Sequence, residues 1–191
     1  SPRCPMLERV MVFIDGPNLY RTLMQEMGDA RVDYVKFSNK LVGPDRRLVR
    51  TYYYTALVPR TGNVLIHDNQ QRLLQALRRT PYVHVRLGRL ERRGGTYVEK
   101  GVDVQLAVDM LRHAYRGNYD TAILVSGDGD FAAVIEAVTE MGKSVEVAST
   151  KTGRSDRLFD VADRIICLDE AFMADCWFHP ARGAGNNPEI G

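Results

Sequence analysis

The stretch Ile123-Leu124-Val125-Ser126-Gly127-Asp128-Gly129-Asp130-Phe131 constrains the fold more than any other part of this chain. A short apolar run rich in β-branched residues predicts a strand buried on both faces, as in a parallel sheet. It stops at Ser-Gly-Asp-Gly-Asp, and an apolar helical pattern follows from Phe131 to Met141. The strand's carboxyl end therefore delivers Asp128 and Asp130 to the crevice where open α/β sheets bind ligands. Gly127 and Gly129 let the backbone turn tightly and leave a ligand room to approach. Two carboxylates this close repel each other unless positive charge lies between them, and a divalent cation supplies it. Capping the following helix would account for one aspartate, not for both.

The same grammar recurs along the chain. After an arm at 1–8, Val10 to Ile14 predicts a buried strand that ends at Asp15-Gly16-Pro17-Asn18, again a carboxylate followed by turn chemistry. Leu19 to Met27 reads as helix, and Val32 to Leu41 as a second helix with Asp33 near its start. Val49 to Val58 is rich in strand formers, and Asn63 to Arg79 is amphipathic and ends at Thr80-Pro81. Tyr82 to Leu90 alternates as an edge strand with one wetter face, and Glu91 to Thr96 reads as an exposed loop. Val102 to Tyr115 is a strong helix, Ser144 to Ser149 a strand, Arg154 to Ala162 a short helix, and Ile165 to Leu168 a last strand. Ala171 to Phe178 predicts a helical turn packed by Trp177, and 179–191 a flexible tail. Strands alternating with helices predict one α/β domain over 9–178, a mainly parallel sheet with helices on both faces.

Charge is distributed unevenly. Residues 46–100 hold 12 Lys and Arg, eleven of them Arg, against three acids, a net of +9, whereas residues 101–191 hold 8 against 15, a net of −7. A basic middle facing an acidic last third suits a protein that grips a polyanion while concentrating metal at one spot. Solvated faces carry charge runs too, so the asymmetry alone does not decide. No apolar run approaches a membrane span, and no signal-peptide h-region opens the chain, which predicts a cytoplasmic protein without a membrane partner. Cys4, Cys167 and Cys176 show no CxxC spacing and read as reduced thiols.

A third carboxylate signal is Glu99-Lys100-Gly101-Val102-Asp103-Val104. Asp103 falls in the first turn of the helix after Gly101, where a lone aspartate would be explained by the helix dipole. Its coincidence with two strand-end sites points instead to a shared cluster. Asp109 lies about 9 Å further along the axis and roughly 120° round it. It reads as outer support for that cluster or as a structural partner to a nearby base.

Three segments together resemble the signatures of the NYN-domain family, in its bacterial LabA-like branch, related to PIN-domain nucleases. They are Phe13-Ile14-Asp15-Gly16-Pro17-Asn18-Leu19, Lys100-Gly101-Val102-Asp103-Val104 through Val108-Asp109-Met110, and Ser126-Gly127-Asp128-Gly129-Asp130-Phe131. Their order and spacing agree from about residue 9 to 169, and no signature position departs from the pattern. The resemblance implies a PIN-like Rossmannoid fold and a ribonuclease site dependent on Mg²⁺ or Mn²⁺. It makes Asp15, Asp103, Asp128 and Asp130 the catalytic and metal-binding cluster, with Asn18, Lys100 and Ser126 as supporting polar residues.

The chemistry of the residues agrees with that expectation. Phosphodiester hydrolysis needs an activated water and stabilised charge on the phosphate and leaving oxygen, both within reach of oxygen-liganded divalent ions. Mg²⁺ prefers one or two direct carboxylates plus waters, which suits a shallow aspartate cluster. Arg86, Arg89, Arg92 and Arg93 are expected to contact the phosphates of single-stranded RNA, with Tyr82 and Tyr97 available to stack on unpaired bases. Ordinary surface ion pairs with the acidic last third would use the same arginines. His67, His84, His113 and His179 share no ligand spacing. GxxxxGK[ST] is absent, and Asp-Gly-Pro-Asn stands where a Rossmann cofactor site needs GxGxxG. The remaining rival is a non-catalytic RNA-binding or regulatory adaptor that keeps fold and metal site. A homodimer is compatible with either.

Overall fold

Strand β1, Glu8–Asp15, lies at the centre of the molecule. Val10 through Ile14 are all buried, and consecutive side chains enter two different cores. Val10, Val12 and Ile14 face one side and Met11 and Phe13 the other, the period-2 alternation of a strand covered on both faces. The computed structural model describes residues 6–61 and 63–179, with the backbone alone at 89, 90, 92 and 96–99. Residues 180–191, most of the tail expected from the sequence, and Cys4 lie outside the described residues.

The chain continues through α1 (Gly16–Met27), α2 (Tyr34–Val42), β2 (Arg46–Thr55), α3 (Val64–Arg79) and β3 (Val83–Leu87). After a two-stranded hairpin, β4 (Arg89–Arg93) and β5 (Thr96–Lys100), come α4 (Val102–Tyr115) and β6 (Thr121–Val125). The last elements are α5 (Ala132–Glu140), β7 (Ser144–Ser149), α6 (Arg157–Val161), β8 (Arg164–Cys167) and α7 (Glu170–Met173). Six strands form one sheet in the order β3-β2-β1-β6-β7-β8, every neighbouring pair parallel. Helices α1, α2 and α3 cover the face of Val10 and Ile14 through Leu23, Phe37 and Leu74. Helices α4, α5 and α6 cover the opposite face through Leu106, Ile135 and Leu158. The α/β architecture with helices on both faces is therefore as expected. The chain winds outward in both directions from β1 and β6, and the gap between their carboxyl ends is the topological switch point where such sheets bind ligands.

Aromatic packing fixes β1 to its neighbours. Phe13 stacks on Tyr52 at 5.7 Å between centroids and meets Tyr119 edge-on at 5.9 Å. Truncating it to Ala should cost about 3–5 kcal/mol through lost burial and a residual cavity.

Three local expectations need correction. Helix α1 begins at Gly16, not Leu19, because Pro17 fits the first turn, where its missing N–H has no partner to lose. Residues 91–96 are not a loop: they pair antiparallel across Gly94-Gly95, whose φ values of 54° and 84° fit the two-residue turn that hairpins favour. The strand expected over 82–90 ends at Leu87, and Gly88 separates it from the hairpin. A Cβ on Gly88 would stand 2.4 Å from Val102 Cγ2, so the hairpin's neck closes against the start of α4 only with glycine there. Cys167 and Cys176 are free thiols. No helix among the described residues is long and apolar enough to cross a membrane.

Candidate functional site

At the switch point, β1 ends at Asp15 and β6 runs into Ser126-Gly127-Asp128. Asp15 is 4% exposed, and both its oxygens are held. Oδ1 accepts the Asn18 N–H at 3.3 Å, capping α1, and Oδ2 accepts the Ser126 hydroxyl at 2.8 Å. Ser126 Oγ in turn accepts the Asp128 N–H at 3.2 Å, so one hydroxyl ties both strand-end carboxylate turns together. Asn18 Oδ1 accepts the Gly127 N–H at 3.1 Å, locking α1 to the β6 turn. Asn18 and Ser126, expected as supporting polar residues, thus act by positioning these turns.

Asp128 caps a 3₁₀ turn, Gly129–Phe131, by accepting the Asp130 N–H at 2.9 Å. Capping and cluster membership therefore coexist in one side chain. Asp103 sits in the first turn of α4, whose preceding residue, Gly101, takes φ 84° and offers no side-chain cap. Asp15, Asp103 and Asp128 line one open cleft together with Asn18, Arg21 and the Gly101-Val102 backbone. Asp130 is exposed beside it. Arg21 escaped the sequence reading, although Asn18 to Arg21 is an i,i+3 spacing that puts both on one helix face.

The electrostatics record how close these carboxylates are. Burial pushes Asp15 up from 3.8 to about 6; the hydrogen bonds from Ser126 and Asn18 oppose the rise, and the charges of Asp103 and Asp128 add to it. Asp103 is also raised, first by burial and then by the charges of Asp128 and Asp130. All four aspartates therefore belong to one electrostatic neighbourhood.

The donor set is entirely oxygen, the chemistry of a hard cation such as Mg²⁺ or Mn²⁺. Among the described residues no three Asp, Glu, His or Cys side chains are arranged to cage an ion. These residues fit a hydrated cation held by one or two carboxylates, with waters and phosphate completing its shell. The cleft's volume of about 320 Å³ leaves room for that shell, being many times the ~30 Å³ a water occupies in the liquid.

The remaining expected residues are placed differently. Asp109 is buried on α4, where it accepts a hydrogen bond from the Tyr54 hydroxyl at 2.9 Å and pairs with Arg112. The oxygen that accepts from Tyr54 also lies 3.4 Å from Arg86 Nε, while Arg112 takes the other. Of the two readings offered for Asp109, this is the partner to nearby bases. Arg86 also packs over the Tyr52 ring at 5.5 Å. In the hairpin, Glu91 pairs with Lys100 at 3.0 Å and with Arg93 at 3.8 Å. The side chains of Arg89, Arg92 and Tyr97 lie outside the described residues, and Tyr82 is exposed.

Comparisons with known proteins agree with this architecture. The chain is 30% identical over 171 residues to the low amplitude and bright protein LabA of Synechococcus elongatus, covering 85% of this chain and 84% of that one. It is 38% identical over 74 residues to an uncharacterised protein of Methanocaldococcus jannaschii, a match spanning 39% of this chain and only 31% of the archaeal protein. A crystal structure of a protein of unknown function from Vibrio parahaemolyticus superposes with a TM-score of 0.71 at 26% identity, covering 88% of this chain and 97% of that one. The model of the NYN domain matches residues 9–169, the span containing every strand-end and helix-start carboxylate described above. The chain belongs to the NYN domain family.

Proposed function

We propose that this protein is a metal-dependent ribonuclease that hydrolyses RNA phosphodiester bonds at the cleft between β1, β6 and α4. The observation that carries the reading is Asp15, buried and raised to about 6 beside Asp103 and Asp128 at the switch point. A fold does not ordinarily gather carboxylates that oppose one another's ionisation unless a cation is to be held there. Asp15, Asp103, Asp128 and Asp130 would hold Mg²⁺ or Mn²⁺ together with water. When bound, the ion would lower the pKa of water and stabilise charge on the phosphate.

The chain's own residues supply the rest. Ser126 and Asn18 keep the two strand-end turns in register, which preorganises the carboxylates. Arg21, lining the same cleft, offers a guanidinium to a non-bridging phosphate oxygen. Gly101 lines the cleft with bare backbone, where a sugar-phosphate chain can approach.

The test is cleavage of labelled single-stranded RNA with Mg²⁺, with Mn²⁺ and with chelator. The reading expects product with metal, none with chelator, and none from Asp128→Asn. Metal-independent or Asp128-independent cleavage would remove it. A second reading, a regulatory adaptor that binds RNA without cutting it, is favoured by one observation: no three ligating side chains are arranged as a cage among the described residues. RNA binding by the wild type without metal-stimulated product would select it.

A further inference from the structure

We infer that the phosphates of the bound strand are held by a cationic wall formed by α1, the β7–α6 loop and the start of α6, through Arg21, Lys151, Arg154 and Arg157, and not by Arg86 and Arg93. The inference rests on the nucleic-acid reading of the cleft given above. The loop is bolted directly to the carboxylate turn. The Ser155 N–H donates to the Gly127 carbonyl at 2.9 Å. A Cβ on Gly127 would lie 1.8 Å from the Gly153 carbonyl oxygen, and one on Gly129 would lie 2.5 Å from Ser155 Oγ and 3.6 Å from Arg157 Cδ. Arg157 therefore stands beside the turn that carries Asp128 and Asp130.

The loop is fastened equally to α1. A Cβ on Gly153 would stand 2.3 Å from Thr22 Cγ2, and the Thr152 N–H donates to Glu26. Thr22 adjoins Arg21, which lines the cleft itself. The loop that carries Lys151 and Arg154 is thus packed against both the Asp128 turn and the helix that carries Arg21. Arg154 is steadied by the Phe159 ring, 4.3 Å from its guanidinium carbon. Cation–π contact orients such a group without neutralising its charge.

The contrast with the hairpin decides between the two surfaces. Lys100 and Arg93 share Glu91, and Arg86 is paired with the buried Asp109. Arg21, Lys151, Arg154 and Arg157 make no ion pair among the described residues. A phosphate approaching Arg86, Arg93 or Lys100 competes with an existing carboxylate, whereas one approaching the loop meets charge unpaired among the described residues. Segment 150–157 holds three bases against the single acid Asp156.

The experiment measures affinity for a short fluorescein-labelled oligouridylate by anisotropy, in chelator so that nothing is cut, across about 50–200 mM salt. Each lost phosphate contact to a single strand lowers the slope of log affinity against log salt by about 0.7. Lys151→Ala with Arg157→Ala should therefore flatten the slope by about 1.4, and Arg21→Gln alone by about 0.7. Arg93→Ala should leave it as in wild type. All three should keep the wild-type melting temperature, because Arg21, Arg93, Lys151 and Arg157 are exposed. If Arg93→Ala flattens the slope while the loop pair and Arg21→Gln do not, the inference falls and the RNA reading stands. If the wild type shows no salt-dependent binding at all, the RNA reading falls and takes the inference with it.

Discussion

Two turns in this molecule share one design and differ in depth. Asp15 at the end of β1 and Asp128 just past the end of β6 each cap the helical turn that follows, at 3.3 Å and 2.9 Å respectively. Asp15 is buried and receives a second bond from Ser126, whereas Asp128 is half-exposed at the cleft. The deeper carboxylate carries the electrostatic tension of the site; the shallower one can face ligand at little desolvation cost. Depth, not residue type, divides holding charge in reserve from presenting it.

Breaking the shallow member should have the largest functional effect. Asp128→Asn keeps the cap, since Asn caps as well as Asp, so the melting temperature should stay near wild type while cleavage falls by about a thousandfold, roughly 4 kcal/mol. A comparable loss of stability would mean that Asp128 is mainly structural. Changing the deep member should act on stability instead. Asp15's folded pKa of about 6 exceeds the ordinary 3.8, so its folded-state advantage is complete below about pH 4 and lost as pH rises through 6. Asp15→Asn should therefore stabilise the metal-free protein by up to about 3 kcal/mol near pH 8 and scarcely at all near pH 4. Denaturant titrations at both values check this, and a pH-independent difference would refute it.

Metal should sharpen the same contrast. At tenfold over its dissociation constant, Mg²⁺ or Mn²⁺ should stabilise the wild type by about 1.4 kcal/mol and the Asp15→Asn variant by less, read as melting-temperature shifts. Equal shifts in both proteins would remove Asp15 from the metal's reach. Smallest is Ser126→Ala, which removes the hydroxyl shared by both turns. It should cost about 1 kcal/mol and move the stability–pH midpoint upward, because a bond that holds Asp15 ionised is lost. An unmoved midpoint would make Ser126 a bystander.

Periodicity made the parallel sheet and the positions of Asp15, Asp103 and Asp128 legible, because strands buried on both faces show as unbroken apolar runs and their ends as abrupt polar punctuation. The hairpin was not legible. Its strands, Arg89–Arg93 and Thr96–Lys100, are too polar to alternate, and only Gly94-Gly95 marked the turn. Nor did sequence charge locate Lys151, Arg154 and Arg157, since a net of −7 over 101–191 averages away a local surplus. Only space shows the pairing: Glu91 meets Arg93 and Lys100, and Asp109 reaches Arg86 from helix α4.

The contacts among Gly127, Gly153 and Thr22 leave no space for even a methyl group where three separate segments meet. The support behind the Asp128 turn is therefore a single stone cut from α1, the β6 turn and the β7 loop. Any attempt to transplant this site into another sheet must carry all three segments together, because moving the aspartate motif alone leaves behind the surfaces that give it its shape.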